Sequence, residues 1–408
     1  MRTQRISLLI VSLMAALSQS VAYAAGPSLP PAWQARWQKP LMEDRPLQIV
    51  HEMQPQRATV SGMQYYLERG LGGVVTNVSF HNYMKSEAAW KTLITAVESC
   101  EKLGMVVWIY DEKGYPSGAA GTLVLDKNPA FEAAELTYDK NRAESFQVRA
   151  AFEHSHAANN YYATRRYPNL IDKAAVECFI DNTHQQYWMR LQRHFGKTIR
   201  ATFTDEPSLM AVNLGQLPEA VRKKMQVVHQ PDPQVPPLPS VPWCDDLPER
   251  YKQRFGEDIL AARKSLFEGD SQTDKLARRR YWSLISDLIE DRYFGALGRW
   301  CESHGIASSG HSLWEESIMF HVPLEGNGLA SLGRMHIPGL DMLNSSPDTV
   351  IHAGWMTAAL PSSAALLHGR RDVMTEVSDF SQKMAGQGPA DLARMQATAA
   401  WQAAWGVT

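Results

Sequence analysis

Residues Glu98–Tyr110, ESCEKLGMVVWIY, contain the pattern from which the fold can be predicted. An amphipathic stretch ends at Gly104, and an apolar run that contains β-branched residues follows it. Glycine is frequent just after a helix, and a short apolar run of this composition is typical of a buried strand. The segment therefore predicts a helix followed by a buried strand, which is the second half of a βαβ unit.

The same order of helix, glycine and strand recurs along the chain, for example around Gly305. Candidate strands lie at residues 47–52, 73–78, 106–111, 199–205, 306–311, 339–343 and 372–377, and an eighth begins at 405–408. Short strands separated by helices favour a parallel (β/α)8 barrel of the TIM type, which takes about 250 residues before insertions. An open doubly wound α/β sheet is the alternative, but no Gly-x-Gly-x-x-Gly motif follows any strand to support it.

The N-terminus carries the three regions of a cleavable secretory signal over residues 1–24. Arg2 and Arg5 precede an apolar run, and the small-residue site Ala22–Ala24 follows it. The apolar run is shorter than the roughly 20 residues that a membrane-spanning helix needs. We therefore predict an exported protein, periplasmic or secreted, with no membrane span after the signal is removed.

The remainder of the chain divides into a lead-in and one large domain. Residues 25–46 form the lead-in, and residues 47–408 form the predicted barrel with insertions near 127–167 and 210–248. The second insertion contains PDPQVPPLPSVPW, which is too rich in proline for a helix. It is interpreted either as a wall of the substrate cleft or as a surface excursion.

The charge of the chain argues against nucleic acid as a partner. Lys and Arg number 41 against 43 Asp and Glu, so the formal net charge is −2. Proteins that bind nucleic acid usually carry a basic patch or stripe, and this balance offers none. A neutral ligand such as a carbohydrate fits better, and the 12 tryptophans include candidates for stacking on sugar rings.

Acidic residues follow several predicted strands at the point where each strand ends. Strand three runs into Asp111 and Glu112, strand four into Asp205 and Glu206, and strand seven ends in Glu376. In a barrel of this kind the catalytic groups project from the carboxyl ends of the strands, so these acids are expected at one rim. Two alternatives stay open: each acid can instead favour the start of the following helix, or several can bind a hard cation such as calcium.

Glycoside hydrolysis needs two carboxyl groups, one on each side of the scissile bond. Glu206 and Glu376 are the predicted catalytic pair, because strands four and seven lie across the barrel mouth from each other. Pro207 restricts the chain after Glu206. Glu316, in the loop after strand five, is the rival for the base.

Further side chains at the predicted mouth are candidates for binding the substrate. His311 lies between Gly310 and Ser312 and can hydrogen-bond a sugar hydroxyl, Trp314 can stack on a ring, and Asp205 ends a neighbouring strand. Retaining and inverting glycosidases differ in the distance between their carboxyl groups, which the sequence does not supply. A retaining β-glycosidase of other specificity therefore stays an alternative.

Four segments, taken in order, carry a resemblance to a known family. They are WIYDEKGYPSG at 108–118, FTDEPS at 203–208, SSGHSLWEES at 308–317 and TEVSD at 375–379. Together they resemble glycoside hydrolase family 106, the α-L-rhamnosidases, from about Gln48 to the C-terminus. The resemblance implies a (β/α)8 barrel, an inverting mechanism with glutamate as acid and base, and a calcium ion that helps to hold a sugar. It also implies that Asp111 and Glu112 position the sugar or the ion.

The chain departs from that family in its length. Members are usually much longer and have β-sandwich domains after the barrel, whereas this chain stops at Trp405–Thr408, in the predicted eighth strand. We therefore expect a barrel that is truncated in its eighth βα unit, with exposed strand edges. The prediction is an exported α-L-rhamnosidase-like glycosidase, and a non-catalytic, truncated carbohydrate-binding protein is a further alternative.

Overall fold

The structure is a computed structural model, and it describes residues 30–78, 80–151, 167–209, 238–315, 318–342, 358–378, 386, 388 and 391–408. The predicted signal peptide and Glu316 lie outside these residues. The chain divides into two compact units, one up to Leu41 and one from Met42 to Thr408. The strands and the site described below belong to the second unit.

The strands of the described residues are β1 (Leu47–Val50), β2 (Gly73–Thr76), β3 (Val106–Tyr110), β4 (Ala134–Tyr138), β5 (Phe146–Ala150), β6 (Ile199–Thr204), β7 (Ser240–Trp243), β8 (Ala307–Gly310), β9 (Ile337–Met342) and β10 (Met374–Val377). Seven of them form one sheet in the order β1-β2-β3-β6-β8-β9-β10. Every neighbouring pair in this sheet is parallel. The fold is mixed α/β, and the curled parallel sheet is consistent with a TIM-like barrel.

The helices lie mainly between the strands of the parallel sheet. The α-helices of the described residues are Pro31–Gln38, Val60–Leu67, Glu87–Leu103, Leu123–Lys127, Lys173–Asn182, His184–Leu191, Leu247–Phe255, Ile259–Ala262, Gln272–Ile289, Ala296–Ser303, Ile318–Glu325, Gly328–Gly333, Ala359–Leu367 and Leu392–Ala404. A π-helical segment, Glu290–Gly295, joins two of them. No helix among the described residues is both long enough and apolar enough to cross a membrane.

The segment around Gly104 folds as its sequence predicts. The helix Glu87–Leu103 begins after Ser86, whose side chain accepts a hydrogen bond from the backbone N–H of Ala89. It ends at Gly104, which has a φ of 68°. That left-handed conformation strains residues with a Cβ atom, so glycine ends the helix at little cost.

Strand β3 is buried on both faces of the sheet. Val107 and Ile109 belong to the main hydrophobic core with residues of the surrounding helices. Trp108 and Tyr110, which alternate with them, belong to a second cluster with Val75 and Phe203. Successive side chains of a strand point to opposite faces, and a parallel sheet that is covered on both faces therefore needs a continuous apolar run.

The seven strands of the parallel sheet agree with the sequence prediction to within three residues at each end, but the predicted eighth strand was wrong. The helix Leu392–Ala404 is followed by a turn in which Gly406 has a φ of 100°. Thr408 then donates its backbone N–H to the carbonyl oxygen of Val373 at 3.0 Å. One residue bonded in this way does not make a strand.

The two predicted insertions contribute strands to a separate antiparallel sheet. Its order is β5-β4-β7, so strands from the first insertion pair with residues near the end of the second. β7 is an edge strand and includes Pro242. Proline lacks a backbone N–H and is tolerated at an edge, where no partner needs that donor.

Candidate active site

The carboxyl ends of the parallel strands bring several titratable side chains together. Asp205 follows β6, His311 follows β8, Asp341 lies within β9 and Glu376 within β10. Parallel strands all end at the same edge of a sheet, which is where ligands usually bind in such folds. Residues that are as much as 171 positions apart therefore meet in one site.

His311 is fully buried at the centre of this group. Its Nε2 lies 3.0 Å from Oε2 of Glu376 and 3.4 Å from Oδ1 of Asp205. Its Nδ1 lies 3.7 Å from Oε1 of Glu315. Burial alone lowers the pKa of His311, but the hydrogen bond with Glu376 and the charges of Glu315, Asp205 and Asp341 outweigh it, so the pKa rises well above its ordinary value. These carboxyl groups therefore favour the protonated form of the His311 imidazole.

Asp205 connects this group to β3 and to the loop that follows it. Its Oδ2 accepts a hydrogen bond from the hydroxyl of Tyr110 at 2.5 Å. Its backbone N–H donates to Oγ of Ser117 at 2.8 Å, and its carbonyl oxygen accepts from the backbone N–H of Ser117 at 2.7 Å. Burial, followed by the charge of Glu376, raises the pKa of Asp205 to about 8. Burial and the neighbouring Glu376 therefore favour the protonated form of this carboxyl group.

Glu206 has a strained backbone conformation at the end of β6. Its φ is 48°, and only 7% of the residue is exposed. Residues other than glycine seldom adopt positive φ values, and such strain is concentrated at functional sites. Burial raises the pKa of Asp341 well above its ordinary value, the charge of His311 opposes that rise, and the charges of Glu376 and Glu206 add to it. Glu206 is thus close enough to Asp341 and its neighbours to belong to the same site.

Glu112, predicted to position a sugar or an ion, is hydrogen-bonded to the loop after β3. The residue is fully buried. Its two carboxylate oxygens accept four hydrogen bonds from backbone N–H groups, those of Lys113 at 2.8 Å, Ala119 at 2.9 Å, Ala120 at 2.7 Å and Gly121. Burial raises the pKa of Glu112 to about 7, and these N–H groups act against that rise. Both carboxylate oxygens of Glu112 have partners in the loop, and its predicted contact with a sugar or an ion stays a prediction.

Asp111 is also fully buried, next to the same loop. Its Oδ1 accepts a hydrogen bond from the hydroxyl of Ser117 at 2.6 Å. Ser117 in turn accepts the backbone N–H of Asp205, so Asp111 is linked to the site through one intervening residue. The predicted role of Asp111 in positioning a sugar or an ion likewise stays a prediction.

The loop after β8 contains the remaining predicted residues. Trp314 has a φ of 55° and is half-buried, with its ring centroid 4.8 Å from that of Phe320. Glu315 is buried, and its Oε1 accepts the backbone N–H of Asp341 at 2.5 Å. Glu316, the predicted rival base, lies outside the described residues.

Glu315 and Tyr110 belong to this site but are not predicted from the sequence. No local signal distinguishes Glu315 from Glu316. The sequence around Tyr110 predicts only a buried strand. The position of Tyr110 as the last residue of β3, directly before Asp111, was a signal that its hydroxyl reaches the rim.

Asp205, His311 and Glu376 are the group among the described residues that can hold a metal ion. One ligand atom of each lies within 4.8 Å of the others. Calcium takes six to eight oxygen ligands, whereas this group offers two carboxylate oxygens and one imidazole nitrogen. A nitrogen and oxygen donor set suits first-row transition ions better. These residues therefore fit calcium poorly, and no step of the reaction proposed below is assigned to a metal ion.

Comparisons with known proteins show a likeness in fold to a solved structure. No protein-family model matches the chain, and no curated protein is similar to it. Among solved structures, the chain is similar to the rhamnosidase from Novosphingobium sp. PP1Y, with a TM-score of 0.55 over 86% of this chain at 10% sequence identity. The match covers 53% of that protein, so the chain spans about half of its length. At this identity the likeness supports a rhamnosidase-like fold and does not show membership of family 106.

Proposed function

We propose that this chain is an exported glycoside hydrolase of the α-L-rhamnosidase type, which removes terminal sugars from a polysaccharide or glycoside. The observation that carries the proposal is the set of carboxyl groups around His311 at the carboxyl ends of the parallel strands. Hydrolysis of a glycosidic bond requires two carboxyl groups in different protonation states. A carbohydrate would be the substrate, and the likeness in fold to a rhamnosidase favours rhamnose as the terminal sugar.

Glu206 and Glu376 are assigned to the two catalytic roles. Glu206 has the strained backbone, and Pro207 after it restricts the chain, so the residue is held in a defined conformation. We assign its carboxyl group as the acid on the leaving oxygen. Glu376 accepts a hydrogen bond from His311 at 3.0 Å, which orients its carboxylate, and 23% of its side chain is exposed. It is therefore accessible from solvent as the base that activates water.

Asp205 and Trp314 are assigned to substrate binding. Asp205 has 14% of its side chain exposed, and a protonated carboxyl group can both donate to and accept from a sugar hydroxyl. Trp314 is half-buried in the loop after β8 and offers an aromatic face of the kind on which sugar rings stack. His311 is fully buried and bonded to acids, so we assign it to orienting Glu376 rather than to direct contact with the sugar.

The proposal is tested by turnover of a panel of aryl glycosides headed by an α-L-rhamnoside. The protein is assayed from residue 25 onward, with added calcium and with a chelator. Glu206→Gln and Glu376→Gln are each expected to lower kcat by about 10²–10⁴-fold, the usual contribution of a general acid or base. Glu249→Gln, on the exposed face of the helix Leu247–Phe255, is the matched control and should retain full activity.

The other outcomes identify the alternatives. Turnover of β-glycosides with retention of the anomeric configuration, followed by NMR of the first product, would favour a retaining β-glycosidase. Binding of sugars without turnover of any glycoside would favour a non-catalytic carbohydrate-binding protein. Loss of activity with chelator and its recovery with calcium would support the cofactor that the resemblance implies.

A further inference from the structure

A chain of buried hydrogen bonds leads from the helix Lys173–Asn182 towards the site. The hydroxyl of Thr183 donates to the carbonyl oxygen of Phe179 at 2.8 Å. The hydroxyl oxygen of Thr183, Oγ1, also lies 2.9 Å from Nδ1 of His184. A hydroxyl group has one proton to donate, and that of Thr183 is directed at Phe179. Since the carbonyl oxygen of Phe179 can only accept, we place the hydroxyl proton of Thr183 on that bond, which leaves Nδ1 of His184 to carry a proton and donate it to Thr183.

The other ring nitrogen of His184 is consequently an acceptor. The ring is fully buried, and burial, followed by the charge of His304, lowers the pKa of His184 to about 3, so the imidazole is neutral. In a neutral imidazole only one nitrogen carries a proton. Nε2 has no hydrogen-bond partner in the structure, and it lies 3.8 Å from Oδ2 of Asp111.

Oδ2 of Asp111 also lacks a hydrogen-bond partner, although the residue is fully buried. An ionised carboxylate offers only lone pairs, so an ionised Asp111 would direct an acceptor at the acceptor Nε2. A buried polar atom without a hydrogen-bond partner lowers the stability of the folded state. Two acceptors that face each other, here Oδ2 of Asp111 and Nε2 of His184, lower it further because they also repel each other. A proton on Oδ2 removes this conflict, because movement of the carboxyl group by roughly 1 Å then brings the pair to hydrogen-bond length.

We propose that Asp111 is a neutral carboxylic acid that donates a hydrogen bond to His184 and, through Ser117, positions Asp205. With the proton on Oδ2, the other oxygen, Oδ1, remains free to accept the hydroxyl of Ser117 at 2.6 Å. Burial raises the pKa of Asp111 well above its ordinary value, Ser117 and Thr204 oppose that rise, and the charges of Glu112 and Asp205 add to it. Asp111 is thus a positioning residue that does not touch the substrate.

Ser117 transmits this arrangement to the site. Its hydroxyl proton is directed at Asp111, which leaves its oxygen lone pairs for the backbone N–H of Asp205 at 2.8 Å. Its own backbone N–H donates to the carbonyl oxygen of Asp205 at 2.7 Å. Both backbone groups of Asp205 are therefore held, immediately before the strained residue Glu206. The kinetic part of this inference rests on the proposed function, whereas the protonation of Asp111 does not.

The test compares Asp111→Asn with Asp111→Ala. Asparagine has the shape of the neutral acid: its oxygen can accept from Ser117 and its amide can donate to His184. We expect Asp111→Ala to lower kcat by about a hundredfold, the loss that a displacement of about 1 Å can cause, with little change in KM. Asp111→Asn should recover most of that loss. Glu112→Gln is the matched comparison, because the same exchange at the neighbouring acid removes acceptors that backbone N–H groups use and should lower the Tm.

A spectroscopic measurement tests the protonation directly. In ¹⁵N NMR spectra of the wild-type protein, His184 should show a protonated Nδ1 and an unprotonated, hydrogen-bonded Nε2 that does not titrate between about pH 5 and 8. Asp111→Asn should leave this signature in place. The proposal is overturned if Nε2 carries a proton in the wild type, or if Asp111→Asn lowers the Tm as much as Asp111→Ala.

These readouts separate the two proposals. If no glycoside is hydrolysed, the proposed function fails, and the NMR signature and the Tm of Asp111→Asn still decide the state of Asp111. If Asp111→Ala does not fold, the Tm of Asp111→Asn is compared with the Tm values of the wild type and of Glu112→Gln, and this comparison decides the protonation of Asp111 in its place. Activity that Asp111→Asn abolishes without a change in Tm or in the His184 signature would show that the charge of Asp111 matters, and would contradict the proposal.

Discussion

The four hydrogen bonds that Glu112 accepts allow the effect of Glu112→Gln to be worked out from the structure. Oε1 accepts the backbone N–H groups of Lys113 and Gly121, and Oε2 accepts those of Ala119 and Ala120. Glutamine keeps one oxygen and replaces the other with an amide nitrogen, which only donates. In either orientation, two backbone N–H groups lose their acceptor and face another donor.

The magnitude follows from the cost of leaving buried groups unsatisfied. Each buried donor without an acceptor costs about 1–3 kcal/mol, so two cost about 2–6 kcal/mol. The free energy of unfolding of a typical domain is about 5–15 kcal/mol, so this one exchange of oxygen for NH₂ removes a large part of it. A loss in the lower half of the range is expected if the loop 113–121 moves and exposes some of these groups to water.

Urea unfolding at equilibrium, followed by tryptophan fluorescence, measures this loss. The midpoint for Glu112→Gln should fall relative to the wild type with an unchanged m-value, because the surface exposed on unfolding is the same. Glu249→Gln, at an exposed helix position, should not move the midpoint. A loss below about 1 kcal/mol would refute the reasoning, because it would mean that the four backbone N–H groups do not depend on a carboxylate.

Two further predictions concern protonation. The hydroxyl of Tyr110 donates a hydrogen bond to Asp205, and this bond lowers the pKa of Asp205. Tyr110→Phe removes the hydroxyl, so the pKa of Asp205 should rise above about 8. NMR titration of the carboxyl carbon of Asp205 measures this change, and an unchanged or lowered pKa would contradict the prediction. The second prediction concerns Asp246, which lies outside the candidate active site and forms an ion pair with Arg292. Hydrogen bonds from Arg292 are the main cause that lowers the pKa of Asp246 to about 2. A lowered pKa stabilises the folded state above the ordinary value of 3.8, and this contribution is lost as the pH falls towards 2. Asp246→Asn should therefore have a lower Tm than the wild type at pH 6, with a difference that narrows below about pH 4, and an equal difference at pH 3 and pH 6 would rule out this linkage.

The positions of the parallel strands could be predicted from the sequence because each strand has a local pattern of apolar residues. The run Val106–Tyr110 is apolar throughout, as a strand buried on both faces requires, and Gly104 marks the end of the preceding helix. The clustering of Asp205, His311 and Glu376 followed from the rule that parallel strands end at the same edge. The strands β4, β5 and β7 were not predicted, because β4 pairs with residues about a hundred positions later and pairing over such a separation leaves no local pattern.

The sequence by itself determined which acids follow the strands, and only the tertiary structure decided what each acid does. Asp111, Glu112, Asp205 and Glu376 occupy similar positions at strand ends, and their residue types do not distinguish them. The loop 113–121 folds back over Asp111 and Glu112 and supplies hydrogen-bond donors to them. Asp205 and Glu376 instead contact the imidazole of His311, which lies more than sixty residues from either in the sequence. The protonation and accessibility of a carboxyl group depend on burial and on neighbours in space, and those neighbours are brought together only when the chain is folded.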